Sequence, residues 1–96
     1  MDFEWDDAKD RINFEKHGVG FEYAAQMFDG PTVTWSDARH DYGEVRMHSI
    51  GCVDNIVVLA VIHTDRNGKT RIISARRADR NERSIYEKAL HKTANH

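Results

Sequence analysis

Ninety-six residues with 40% hydrophobic and 31% charged content suit one domain with one modest core, and exclude two domains or wholesale disorder. The formal net charge of −2 disfavours direct binding of duplex DNA, because phosphate affinity needs positive charge. The longest apolar run, Ile56 to Ile62, is too short for a membrane span. The single cysteine, Cys52, makes no internal disulfide and fits a reducing compartment. Met1 to Asp6 is acidic and lacks the plan of a signal peptide, so a small cytoplasmic protein is expected.

Phe3-Glu4-Trp5 alternates apolar and polar and reads as a short first strand. Asp6 offers an N-cap, Asp7 and Asp10 place acids in the first turn, and Lys16 and His17 place cations in the last. Gly18 supplies a left-handed stop, which predicts a helix from Asp7 to His17. Lys9, Asn13, Lys16 and His17 fall on one narrow stripe of it, a polar surface where a core face is usual. Phe21, Ala24, Ala25 and Phe28 then recur at helical spacing, and Asp29-Gly30-Pro31 ends this second helix. The few residues between them predict a two-helix hairpin.

From Thr32 the period changes to two. Thr32 to Trp35 is a strand, and Ser36 to Tyr42 a polar loop. Glu44 to Ile50 alternates, with Glu44, Arg46, His48 and Ile50 on one face and Val45, Met47 and Ser49 on the other. Asp54-Asn55 marks a reversal. Ile56 to Thr64 is nearly all apolar and β-branched, as in a central strand covered on both faces. Asn67-Gly68 is a hairpin turn leading into Thr70 to Ala75. Asp79 with Glu82 three residues on forms a capping box for a last helix, with Ile85, Ala89 and either Tyr86 or Leu90 as its apolar stripe. The tail from His91 is expected to fray. The order is β-α-α-β-β-β-β-α: an α+β sandwich with an antiparallel sheet, a two-helix hairpin and a C-terminal helix in a single domain over residues 1–96.

Charge is unevenly spread along this order. Between Arg66 and Arg83 seven Lys/Arg face two acids, a net of +5 inside a chain of −2. Local excess of this kind suits phosphate, and equally suits a solvated Arg-rich helix start. If the strand persists, Arg76 and Arg77 point to opposite faces, so only one meets a given ligand. Alternation groups Ile72 and Ser74 with Arg76, and Ile73 and Ala75 with Arg77. Either arginine could instead pair with Glu44, Asp79 or Glu82. No His-x-x-x-His pair, cysteine cluster or phosphate-binding glycine loop is present, so neither a metal nor a cofactor is expected.

Trp5-Asp6 with Lys9, Asn13 and Lys16-His17-Gly18, then Phe21 and Ala24, resembles the opening signature of the BrnT toxin family. Gly43-Glu44-Val45-Arg46, Ile72 to Ala78, and Glu82-Arg83 with Tyr86 are similar to its later blocks. The resemblance implies a RelE-like fold and the toxin half of a bacterial type II toxin–antitoxin pair. It implies an endoribonuclease that inhibits translation, acting on RNA that includes ribosome-associated message. It also implies a BrnA-like ribbon-helix-helix antitoxin as partner, with operator DNA reached only through that antitoxin. On this reading Lys9, Glu44, Arg76, Arg77 and Tyr86 are the candidate catalytic residues, and Lys16, Arg46 and Arg83 bind substrate. The competing reading is a non-catalytic antitoxin-binding module that acts as a co-repressor.

Overall fold

The computed structural model describes residues 1–37 and 43–94. The order of elements is β1 (Phe3–Glu4), α1 (Asp7–His17), α2 (Phe21–Ala25), a 3-10 turn (Gln26–Asp29), β2 (Thr32–Asp37), β3 (Arg46–Val53), β4 (Val57–Arg66), β5 (Lys69–Arg77) and α3 (Arg80–Ala94). The strands form one sheet in the order β1-β5-β4-β3-β2. Strands β2 to β5 are the expected antiparallel meander, whereas β1 pairs with β5 in parallel, Phe3 opposite Thr70 and Glu4 opposite Arg71. The long path from β1 to β5 imposes no hairpin geometry, and the Arg71 guanidinium fixes this edge by donating to Glu4 Oε2 at 2.8 Å. The sheet is therefore mixed at one edge.

Local signals act as the chemistry predicts. Asp6 accepts hydrogen bonds from the N–H groups of Ala8 and Lys9, and Gly18 closes α1 at φ 71°. The turns at Asp54-Asn55 and Asn67-Gly68 hold their residues at positive φ, the left-handed backbone that tight hairpin turns use. Asp79 and Glu82 exchange hydrogen bonds of 2.8 and 2.9 Å as a reciprocal cap.

Several boundaries differ: the second helix is α-helical only to Ala25 and passes into the 3-10 turn over Gln26–Asp29, and β3, β4 and β5 run on to Val53, Arg66 and Arg77. Ser36 and Asp37 belong to β2, paired with Met47 and Arg46, because the cross-strand ladder outweighs their turn preference. The rest of the expected loop, residues 38–42, lies outside the described residues. The strand expected from Glu44 starts at Arg46, where its pairing begins. Helix α3 continues through His91 to Ala94, so the expected fraying does not begin at His91.

The sheet is covered on both faces. On one, Val19, Phe21, Ala24 and Met27 pack against Val53, Leu59, Val61, Ile72 and Ala75. Full burial of a side chain such as Phe21 contributes about 1.5–3 kcal/mol. On the other, Tyr86 and Ala78 close over Ile50, with Trp35, Cys52 and Val58 around them. Gly51 lets the first layer approach closely, since a Cβ there would lie 3.1 Å from Met27.

Ile72 and Ala75 thus share a face, contrary to simple alternation. The cause is a bulge in β5: His63 pairs with Ile72 and Ile62 with Ser74, leaving Ile73 as the extra residue. A bulge resets the parity of everything beyond it. Beyond Ser74 the alternation resumes, with Arg76 opposite Ala60 and Arg77 opposite Leu59.

Asn13 explains the polar stripe on α1. Its Nδ2 donates to the carbonyls of Ala75 and Val19 at 2.7 and 2.9 Å, and its Oδ1 accepts from the Ala75 N–H at 3.2 Å. The buried carboxamide substitutes for a neighbouring strand where β1 has ended, satisfying main-chain groups that would otherwise be orphaned.

Candidate active site

Three strands and the start of α3 assemble one cleft. On β2 and β3, Trp35 and His48 are direct cross-strand partners, and their rings stack with centroids 4.4 Å apart. Arg76 reaches the same side from β5. The cleft of about 380 Å³ is lined by these three, Ser36, Asp37, Asp79, Asn81, Glu82 and Ile85. Its contents come from four separate stretches of chain, brought together by the register of the meander and the bulge in β5.

Glu82 is the hub. Its Oε2 lies 2.7 Å from His48 Nε2. Arg76 donates to Oε1 at 2.6 Å and to Oε2 at 3.1 Å, and the Asp79 N–H donates to Oε1 at 2.9 Å. Burial by itself would raise the carboxyl pKa. The hydrogen bonds from Arg76 and Asp79, the Arg76 charge and His48 overcome that and hold it at about 2. Glu82 is therefore ionised at neutral pH, and a neutral His48 must donate its Nε2 proton to it. That leaves Nδ1 as the ring's acceptor, the arrangement in which a carboxylate fixes a histidine tautomer and steadies its protonated form. The Arg76 side chain remains 40% exposed while that of Glu82 is only 6% exposed, so the cation faces the cleft and its counter-charge sits behind.

The two neighbouring arginines separate as strand geometry requires. Arg76 enters this cleft; Arg77 lies on the other face, beside Phe14, Tyr23, Val57 and Leu59. The open alternative that Arg76 pairs with Glu82 is realised, in a form that also holds His48. Lys9 and Lys16 are exposed on α1, about one turn before and after Asn13. Glu44 and Arg46 form an ion pair of 3.5 Å at the start of β3, with Glu44 the more exposed. Arg83 is exposed and donates to the Ala78 carbonyl at 3.2 Å. Tyr86 is 5% exposed, with its hydroxyl 3.4 Å from the Pro31 carbonyl and its pKa raised by burial. It borders a different hollow, next to Pro31 and Cys52. Of the eight candidates, Arg76 alone lines the Trp35 cleft.

His48 and Trp35 carry no motif signal. The alternation of β3 did place His48 on the polar face with Arg46, which was the available hint, and Glu82 was legible as a helix cap and as one possible partner of either arginine. A second buried histidine, His63, lies elsewhere: its Nε2 meets Ser49 Oγ at 2.7 Å, Ser49 meets Thr34 at 2.6 Å, and Phe28 packs against the imidazole at 5.2 Å. Its Nδ1 is buried with no hydrogen-bond partner. Among the described residues no group of three or more His, Cys, Asp or Glu side chains is arranged to hold a metal ion.

A family model described as ribonuclease toxin, BrnT, of type II toxin-antitoxin system matches residues 5–82. The fold matches the 1.1 Å crystal structure of the Brucella abortus ribonuclease toxin, BrnT, with a TM-score of 0.62 and 24% sequence identity. The match covers 83% of this chain and 99% of that one. No curated protein sequence matches.

Proposed function

Because the chain belongs to the BrnT family of ribonuclease toxins of type II toxin–antitoxin systems, we propose that it cleaves RNA without a metal ion, in the cleft beneath the first turn of α3. The observation that carries this reading is the Glu82 carboxylate holding His48 and Arg76 together. In the reaction a ribose 2′-hydroxyl attacks the adjacent phosphorus. The 2′-O–P bond forms, the P–5′-O bond breaks, the departing 5′-oxygen takes a proton from water while the proton removed from the 2′-hydroxyl returns to solvent, and the products are a 2′,3′-cyclic phosphate and a 5′-hydroxyl.

His48 Nδ1 takes the 2′-hydroxyl proton, and the ionised Glu82 stabilises the resulting imidazolium. Arg76 steadies the added negative charge on the phosphate oxygens through its fixed charge, while its forked pair of N–H groups stays turned to Glu82. The Trp35 ring offers a stacking wall for an unpaired base, a contact open to single strands and closed to a duplex. Arg46, on the same face of β3 as His48, extends the cationic surface toward the neighbouring backbone of the RNA, with Glu44 as its counter-charge. Cleavage of message would stop translation in the cytoplasm. A BrnA-like ribbon-helix-helix antitoxin would neutralise the toxin and carry it to operator DNA.

The test is purified protein given RNA in EDTA, with the ends of the products mapped. Cyclic phosphate ends are expected, and they should disappear in both Arg76→Ala and His48→Ala. Cleavage that needs an added divalent ion, or that survives both substitutions, would sink the assignment.

A further inference from the structure

The face opposite the cleft carries a second hollow, also of about 380 Å³, which no step of the proposed reaction uses. Its walls are Phe14 from α1, Tyr23 from α2, Val19 between them, and Val57 and Leu59 from β4. Phe14 is 58% exposed and Tyr23 39%. Exposing an aromatic ring at such a position wastes the burial that would otherwise stabilise the fold. Arg77 borders the same hollow. Its guanidinium is exposed and has no hydrogen-bond or ion-pair partner among the described residues.

We infer that this hollow is the docking site of the antitoxin, and that it takes a segment in which apolar side chains flank a carboxylate. The apolar side chains would fill the space between Phe14, Tyr23 and Leu59, and the carboxylate would pair with Arg77. Charge complementarity favours this occupant. A cation set against an apolar wall gains most from a counter-ion that arrives with apolar groups and excludes water. RNA is the poorer fit, since the floor of the hollow is aliphatic and its walls hold no histidine or carboxylate that could move a proton.

The inference rests on the family's being one of toxin–antitoxin pairs and not on the assignment of His48 and Arg76. It divides the adjacent arginines between two tasks: Arg76 faces the cleft beneath α3, and Arg77 faces the partner. The antitoxin then binds the sheet from behind, and neutralisation does not require a plug in the cleft.

The experiment is titration of this chain with its purified cognate antitoxin. Phe14→Ala, Tyr23→Ala and Arg77→Glu are compared with the parent chain, and thermal melts confirm that each variant is folded. Weakening of binding by at least tenfold in each variant is expected. Antitoxin variants with single acids changed to Lys should include one that restores binding to Arg77→Glu and not to Phe14→Ala. RNA cleavage by Phe14→Ala and Tyr23→Ala should stay within twofold of the parent. Antitoxin affinity unchanged in all three variants overturns the proposal. So does loss of cleavage with binding intact, which would give the hollow to RNA. Because the titration reads binding alone, it decides this question even if the cleft beneath α3 proves not to cut RNA.

Discussion

Arg76 and Glu82 are joined by two hydrogen bonds of 2.6 and 3.1 Å that tie the end of β5 to the first turn of α3. The same carboxylate caps its own helix and holds His48. One residue therefore links helix capping, the docking of α3 and the arrangement of the cleft. Glu82→Ala leaves a buried imidazole, an arginine and a main-chain N–H without their acceptor. Truncating one side of a buried ionic network costs about 3–5 kcal/mol. Urea denaturation should show a loss of this order, larger than for exposed Asn81→Ala.

The low pKa of Glu82, about 2, also sets a window in acid. A carboxyl ionised more readily when folded contributes stability that is complete above its unfolded pKa, near 4.5, and fades as the pH falls toward 2. Denaturation midpoints measured from pH 6 to pH 2 should fall through that range, and the fall should be shallower in Glu82→Gln.

His63 sets a second window, at milder pH. Burial is the main cause of its lowered pKa; His48 adds to that, and Asp65 opposes it. A histidine held neutral in the fold contributes stability that is present above its unfolded pKa, about 6.5, and is lost as the pH falls through its folded value. Stability should thus decline as the pH falls below about 6.5, and His63→Gln should flatten that decline. An unchanged slope in the variant would remove His63 from the account.

Activity should separate the two neighbouring arginines. Loss of a positioned cation at a developing phosphate charge typically costs about 10²–10³ in rate, so Arg76→Ala should fall by that much in single-turnover cleavage. Arg76→Lys should recover little of it, because an ammonium cannot reproduce the fork that Arg76 applies to both oxygens of Glu82.

Asn13 makes a prediction about structure alone. Removing its carboxamide in Asn13→Ala strands the N–H and carbonyl of Ala75 and the carbonyl of Val19 in a buried setting. A loss of about 2–4 kcal/mol is expected, read as a lower thermal midpoint. Asn13→Asp should be worse at pH 7, where a carboxylate would face two carbonyl oxygens.

These residues show how far the sequence could be read. Asp6 and Gly18 bound α1 because capping and a left-handed stop are local effects of single side chains, and Asn67-Gly68 marks its turn for the same reason. The split between Arg76 and Arg77 was legible from strand alternation. The grouping of Ile72 with Ala75 was not, because a bulge is decided by pairing across the sheet. His48 gains its role from Trp35 on one neighbouring strand and from Glu82, 34 residues away in the chain, and no local pattern encodes that meeting. Tyr86 looked like a site residue by resemblance, yet its hydroxyl is directed to Pro31.

The bulge at Ile73 also means that β5 is one residue longer than its ladder requires. With Ile73 removed, Ile72 would still meet His63 and Ser74 would still meet Ile62, now as consecutive rungs. Every later residue, both arginines included, would keep its partner and its face. The middle of this strand, flanked by two different working surfaces, is thus a place where the gene can lose a codon while each arginine keeps its own side of the sheet.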